Sequence, residues 1–423
     1  MSFTKIENRR LGEEYFELQH SSGLKIIVYP KKGFNSIYAS IATKFGSVYS
    51  RFTCGGKEIC VPDGTAHYLE HKLFESEDGD AFSKYAKTGA SANAYTSFDQ
   101  TCYLFSCTDR FSESLGILID LIQSPYFTEE TVAKEQGIIS QEIKMYEDSP
   151  DWRVMMNLFQ SMYHNHPINI DIAGTVETIA KITPEILYEC YNSYYNLHNM
   201  VMTVVGGVTP EEVLKVADEK LRPSEKTDAQ VIFPDEPYKV VRNYTEQQLP
   251  VAVPMFEIGF KEVCNTEFAS TRELICTSIL MNAFAGESSS LYRLLTDEKL
   301  INSTFGHEYL EGPGYRAVLL SGESRDPALA AEMINDAVKA LHKNGISKED
   351  FERARRVVYG RTVAGLDNNR SIAAELINGE FTGRSIFESA EALADVTAED
   401  VNAQLEKELD ADNSCLSVIK AID

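Results

Sequence analysis

The chain has 423 residues, 43% of them hydrophobic and 25% charged, with a formal net charge of −24. That balance excludes a disordered or fibrous protein, and the length points to two or three units, each able to bury a core, rather than to one domain. A chain this acidic, with no Lys/Arg-dense run, repels a phosphate backbone, so no nucleic-acid partner is expected; a plain solubility surface accounts for the charge more simply than an acidic cavity does.

The first residues, MSFTKIENRRLGEEYFEL, have no apolar core of a secretory signal, and their acidic residues count against a transit peptide. No stretch approaches the roughly 18 uninterrupted apolar residues of a membrane span. The eight cysteines, Cys54, Cys60, Cys102, Cys107, Cys190, Cys264, Cys276 and Cys415, have no CxxC pairing and read as reduced thiols of a cytoplasmic protein.

LKIIVYP and IYASIAT, dense in β-branched and aromatic residues, predict strands at about 24–30 and 37–43. A helix is expected from near Gly64, then one at AFSKYAKTG. A hairpin-like pair follows, SANAYTSF and TCYLFSCT, separated by Asp99 and Gln100. Leu115, Ile119 and Ile122 mark a helix over 112–123, and 129–146 continues in the same style. MVMTVVGGV is a strand, with a helix from Thr209 after it and a tight turn at Gly206 and Gly207 between them.

RPSEKTDAQVIFPDEPYKVV is polar and holds three prolines, the marks of a linker. The chain is therefore divided into a catalytic domain at 1–225, a linker at 226–250 and a second domain at 251–423. In the second half a strand near 251–260, a helix at 267–283, strands near 300–310 and 316–322, further helices and a last strand at CLSVIKA repeat the element order. Two α+β halves with an internal structural repeat are expected.

The chemistry concentrates at GTAHYLEHKLFES. On a helix the 3.6-residue period puts His67, Glu70 and His71 on one face, so two imidazoles can grip one metal with a carboxylate beside them. Zinc suits such donors, and a carboxylate that is not a ligand can take the proton of an attacking water, which is the role read for Glu70. A third ligand must come from elsewhere. The helix KEQGIISQEIKMYEDSP offers Glu135, Glu142 and Glu147; the first two are two turns apart on one face, Glu147 points away, and Glu142 is read as the ligand.

HYLEH followed some seventy residues later by a Glu-x6-Glu helix resembles the inverted-zincin motif of the pitrilysin-type (M16) metallopeptidases. The resemblance implies that His67, His71 and Glu142 bind one zinc ion per chain, that Glu70 is the catalytic base and that Glu135 supports the site. SANAYTSF resembles the family strand on which a substrate peptide is laid as an added strand, with Asn93 and Ala94 at the matching positions. The similarity spans most of 15–220 and implies an α+β fold of two homologous α/β-sandwich-like domains, each a mostly antiparallel sheet packed with helices. The length resembles the two-domain subfamily that includes mitochondrial processing peptidase, whose subunits pair around a peptide chamber.

AGESSSLYRLLTDEKLIN resembles the stretch in which an Arg and a Tyr seven residues apart reach the substrate, but here those positions are Leu295 and Asn302. Shifting the register by two brings in Arg293, which has Leu300 rather than Tyr seven residues on. The expectation is a heterodimer with a related chain that supplies both groups, in preference to a homodimer. Related chains also serve as non-proteolytic structural or assembly subunits, which would be expected to lose a zinc or base residue; all five positions are filled here. Tyr163, His164, His166 and His198 read as loop and surface residues rather than a second metal site. Neither a GxSxG elbow nor a GxxxxGK loop is present.

Overall fold

The computed structural model describes residues 2–262 and 268–422. Cys264 lies outside the described residues; the other seven cysteines carry free thiols. Among the described residues no helix is long and apolar enough to cross a membrane.

The chain forms two compact units. The first comprises 1–143, 171–232 and 363–387, and the second 144–170, 233–362 and 388–423. The fold is α+β, as the sequence implies; one crossing between the units, at 232/233, falls within the expected division at 226–250, but 144–170 and 363–387 belong to the opposite unit, so neither unit is contiguous.

In the first unit a seven-stranded sheet runs in the order Thr4–Asn8, Glu13–Gln19, Lys25–Pro30, Met200–Gly206, Ile37–Thr43, Thr101–Cys107, Ser91–Thr96. Only the pairing of Met200–Gly206 with Lys25–Pro30 is parallel. MVMTVVG is buried along its whole length, as a central strand covered on both faces must be. One cover is the helix Asn369–Thr382, whose Ile372, Ala373, Leu376 and Ile377 pack with Ile27, Tyr29, Ala42, Val201 and Val205. Each of its three larger side chains contributes about 1.5–3 kcal/mol on burial. Lys31 Nζ donates to the carbonyl of Leu366, and Lys44 Nζ to that of Phe381, at 2.8 and 3.1 Å.

In the second unit a five-stranded sheet has the order Tyr244–Leu249, Ser414–Ala421, Met255–Lys261, Tyr315–Glu323, Gly306–Gly312. Its one parallel pair is its first and last strands in the sequence. The strand order matches the last five strands of the larger sheet: first, last, second, fourth, third. The expected repeat is therefore visible as topology. Phe256, Ile258 and Phe260 face the core of helices Thr271–Ala285 and Pro327–Asn344. On the other face Gly259 leaves room for Leu158 and Met162 of the helix Pro150–Met162, where a Cβ would lie 2.4 Å from the Met162 sulfur.

Each sheet thus takes one covering helix from the distant half of the chain, which is why neither unit is a single continuous stretch. Tyr244–Leu249, expected as linker, is a strand, as is the short Gln230–Val231 that pairs with Arg51–Cys54 in a small side sheet of the first unit.

Candidate metal centre

The helix Thr65–Leu73 begins at Gly64, whose φ of +91° lies in the left-handed region. A Cβ there would sit 2.4 Å from the Ala173 carbonyl oxygen, so only glycine admits this entry. Tyr68, Leu69 and Leu73 fill the core on one side of the helix. Tyr68 also donates its hydroxyl proton to the carbonyl of Val132, tying this helix to Glu129–Glu147.

The structure brings His67, His71 and Glu142 together, with one ligand atom from each lying within 4.8 Å of the others. His67 Nε2 is 3.7 Å from Glu142 Oε1, and His71 Nε2 is 3.3 Å from Glu142 Oε2. Tetrahedral zinc with bonds of about 2.0–2.1 Å needs neighbouring donors roughly 3.3–3.4 Å apart. The spacings from the two imidazoles to Glu142 are close to that value, and the donor set, two imidazoles and a carboxylate, suits zinc. His71 Nδ1 faces Glu135 Oε1 at 2.9 Å, which favours the tautomer with the proton on Nδ1 and a lone pair on Nε2. Nδ1 of His67 is buried without a hydrogen-bond partner among the described residues, so Nε2 is that ring's polar-facing nitrogen. Glu147 is exposed and takes no part.

Burial lowers the pKa of His67, and charge on His71 lowers it further. For His71 burial acts in the same direction, but the hydrogen bonds to Glu135 and Glu142 outweigh it and raise its pKa. The His71 hydrogen bond in turn holds Glu135 below the ordinary carboxylate range. Two carboxylates thus gather positive charge between them. A divalent cation would supply it directly, displacing the His71 proton.

Glu70 is 8% exposed, and burial raises its pKa against the opposing hydrogen bond from Thr96. Thr96 Oγ1 donates to Glu70 Oε2 at 2.6 Å. This contact escaped the sequence reading. Strand alternation puts Thr96 on one face with Ala94 and Ala92, but no local pattern says that the face meets Glu70.

Ser91–Thr96 is the terminal strand of its sheet and, among the described residues, pairs only with Thr101–Cys107. Asn93 lies on the opposite face from Thr96, and its Oδ1 accepts the N–H of Ala94 at 2.9 Å. The three histidines weighed as a second metal site are committed elsewhere: His164 Nε2 to the Lys239 carbonyl, His166 Nε2 to that of Pro313, and His198 Nε2 to that of Ser224. His166 is buried, contrary to the surface placement expected for it, as is Tyr163 beside it.

In the second unit Leu295 is fully buried in the hydrophobic core, on the helix Ser290–Asp297. Asn302 Nδ2 donates to Glu323 Oε2 at 2.6 Å. Arg293 is exposed.

Two family models match the chain: "Insulinase (Peptidase family M16)" over residues 61–176 and "Peptidase M16 inactive domain" over 181–358. An "uncharacterized zinc protease", YmfH of Bacillus subtilis, is 39% identical over 99% of this chain and 98% of its own length. A probable mitochondrial-processing peptidase subunit beta of Arabidopsis thaliana is 24% identical, over 80% of this chain and 67% of its own. The crystal structure of a putative M16-like peptidase from Alicyclobacillus acidocaldarius superposes with a TM-score of 0.93 at 33% identity, covering 100% of this chain and 99% of that one.

Proposed function

We propose, because the chain belongs to peptidase family M16, that it is a zinc-dependent endopeptidase cleaving extended peptides inside a dimeric chamber. The observation that carries this is the convergence of two imidazole Nε2 atoms on Glu142, with Glu70 hydrogen-bonded to the last residue of a sheet-edge strand. His67, His71 and Glu142 would hold one zinc per chain, with Glu135 orienting His71. When bound, zinc supplies a Lewis acid that polarises a carbonyl and makes water acidic near neutral pH.

The chain's own groups do the rest. Glu70 takes the proton of the attacking water; its buried position brings its pKa towards the range in which a carboxylate works as a base. The edge of Ser91–Thr96 receives the peptide as an added strand, whose main-chain bonds orient the scissile carbonyl. Asn93 and Ala94 would bind it, a peptide carbonyl replacing the Asn93 side chain on the Ala94 N–H. The unpaired cysteines support a cytoplasmic setting. The chamber's other half, in this reading, is a related chain supplying an Arg and a Tyr.

Elemental analysis of the purified protein should find about one zinc per chain. His67→Ala or Glu142→Ala should remove it. Glu135→Ala should weaken zinc about 10- to 100-fold, the usual cost of losing a group that orients a ligand, without abolishing binding. A chain that contains no zinc and takes none up on titration would overturn the metal assignment.

A further inference from the structure

Thr96 stands where the edge strand meets the base, and we propose that it is a positioning residue that fixes the Glu70 carboxylate and ties base orientation to the strand that receives the peptide. The inference deepens the peptidase reading and rests on it. Thr96 is the last residue of Ser91–Thr96, opposite Thr101 in the hairpin. Thr101 is fully buried and donates its hydroxyl proton to the Phe45 carbonyl at 2.8 Å. Its oxygen lies 3.4 Å from that of Thr96. A hydroxyl has one proton. With that of Thr101 committed, the Thr96 proton goes to Glu70 Oε2, at 2.6 Å. One carboxylate oxygen is thereby anchored, and the other, Oε1, is left to receive the proton of water.

The choice of threonine matters. Two heavy atoms on Cβ restrict χ1, so the direction of the hydroxyl follows the direction of the strand. A peptide added along the free edge orders that strand and, through Thr96, the base. Thr96 touches Glu70 and not the reacting atoms, and its effect should fall on kcat.

Thr96→Val keeps the shape and removes the donor. In the zinc-loaded full chain, assayed on an unstructured fluorogenic peptide with its partner present, kcat should fall about 10- to 100-fold, the worth of one hydrogen bond to a charged group. KM should stay within about twofold, because the backbone that pairs with the peptide is untouched, and zinc content should not change. Thr96→Ser should recover most of the rate. In a Glu70→Gln background Thr96→Val should cost nothing further, since the two groups act as a unit. Crystals of zinc-loaded Thr96→Val should show the Glu70 carboxylate turned from its present position.

A Thr96→Val enzyme with undiminished kcat, or a serine variant no better than the valine one, overturns the proposal. If the wild-type chain cleaves nothing even with its partner, the peptidase reading fails instead. The crystal comparison then decides alone, and an unmoved Glu70 sinks the positioning role.

Discussion

Glu70→Gln should leave zinc bound at about one ion per chain and lower kcat by about 10²–10⁴, the range that a positioned general base contributes. The glutamine amide has nearly the carboxylate's shape and can still accept the Thr96 proton through its oxygen, so the contact seen at 2.6 Å survives the change. What is lost is the ability to take a proton from water. Burial is the first cause that raises the Glu70 pKa, opposed by Thr96 and by charge on His71. Zinc is to be measured on the same sample as the rate, with the partner chain present. A variant that holds zinc and cleaves peptide at near wild-type kcat rules out Glu70 as the base.

The parts of this site that lie on single helices were legible because helical geometry is local. Three residues of HYLEH share a face by their spacing alone, and Glu135 and Glu142 share one by the same rule. The structure brings both faces together. Thr96 was not legible: its contact with Glu70 joins residues 26 apart through the packing of a strand against a helix.

The same limit governs the fold. Strands such as Ile37–Thr43, with only Tyr38 short of full burial, announce themselves by composition. Tyr244–Leu249, with sequence YTEQQL, buries only Leu249 and is a strand because Ser414–Ala421 lies beside it. Thr4–Asn8 at the sheet's edge and Glu13–Gln19 beside it are of the same polar kind. Placing Asn369–Thr382 over the first sheet depends on contacts such as Lys31 to Leu366, 335 residues apart. Composition and period carry no trace of pairings at that distance.

The isolated chain should be folded, zinc-loaded and nearly inactive, whatever peptide is offered. The family's substrate-holding Arg and Tyr, placed by sequence at Leu295 and Asn302, have no counterpart there. Leu295 belongs to the core of its unit and points inward, so no side chain at that position reaches out to substrate. Asn302 is spent on Glu323. The exposed pair one residue on, Thr296 and Ser303, keeps the seven-residue spacing with neither a guanidinium nor a phenol, and exposed Arg293 is followed seven residues later by buried Leu300. Loss of a single donor to a transition state costs roughly 10²–10³ in rate, and this chain carries neither an Arg nor a Tyr at those two positions, 295 and 302. We propose that a related chain restores them. Mixing the two should raise kcat by at least that factor, and substituting the partner's Arg or Tyr should remove the gain while zinc in this chain stays constant. A homogeneous preparation of this chain alone, turning over unstructured peptides at about 1 s⁻¹ or faster, would show that no partner is needed and that a residue of this chain, with Arg293 the first to test, does the holding.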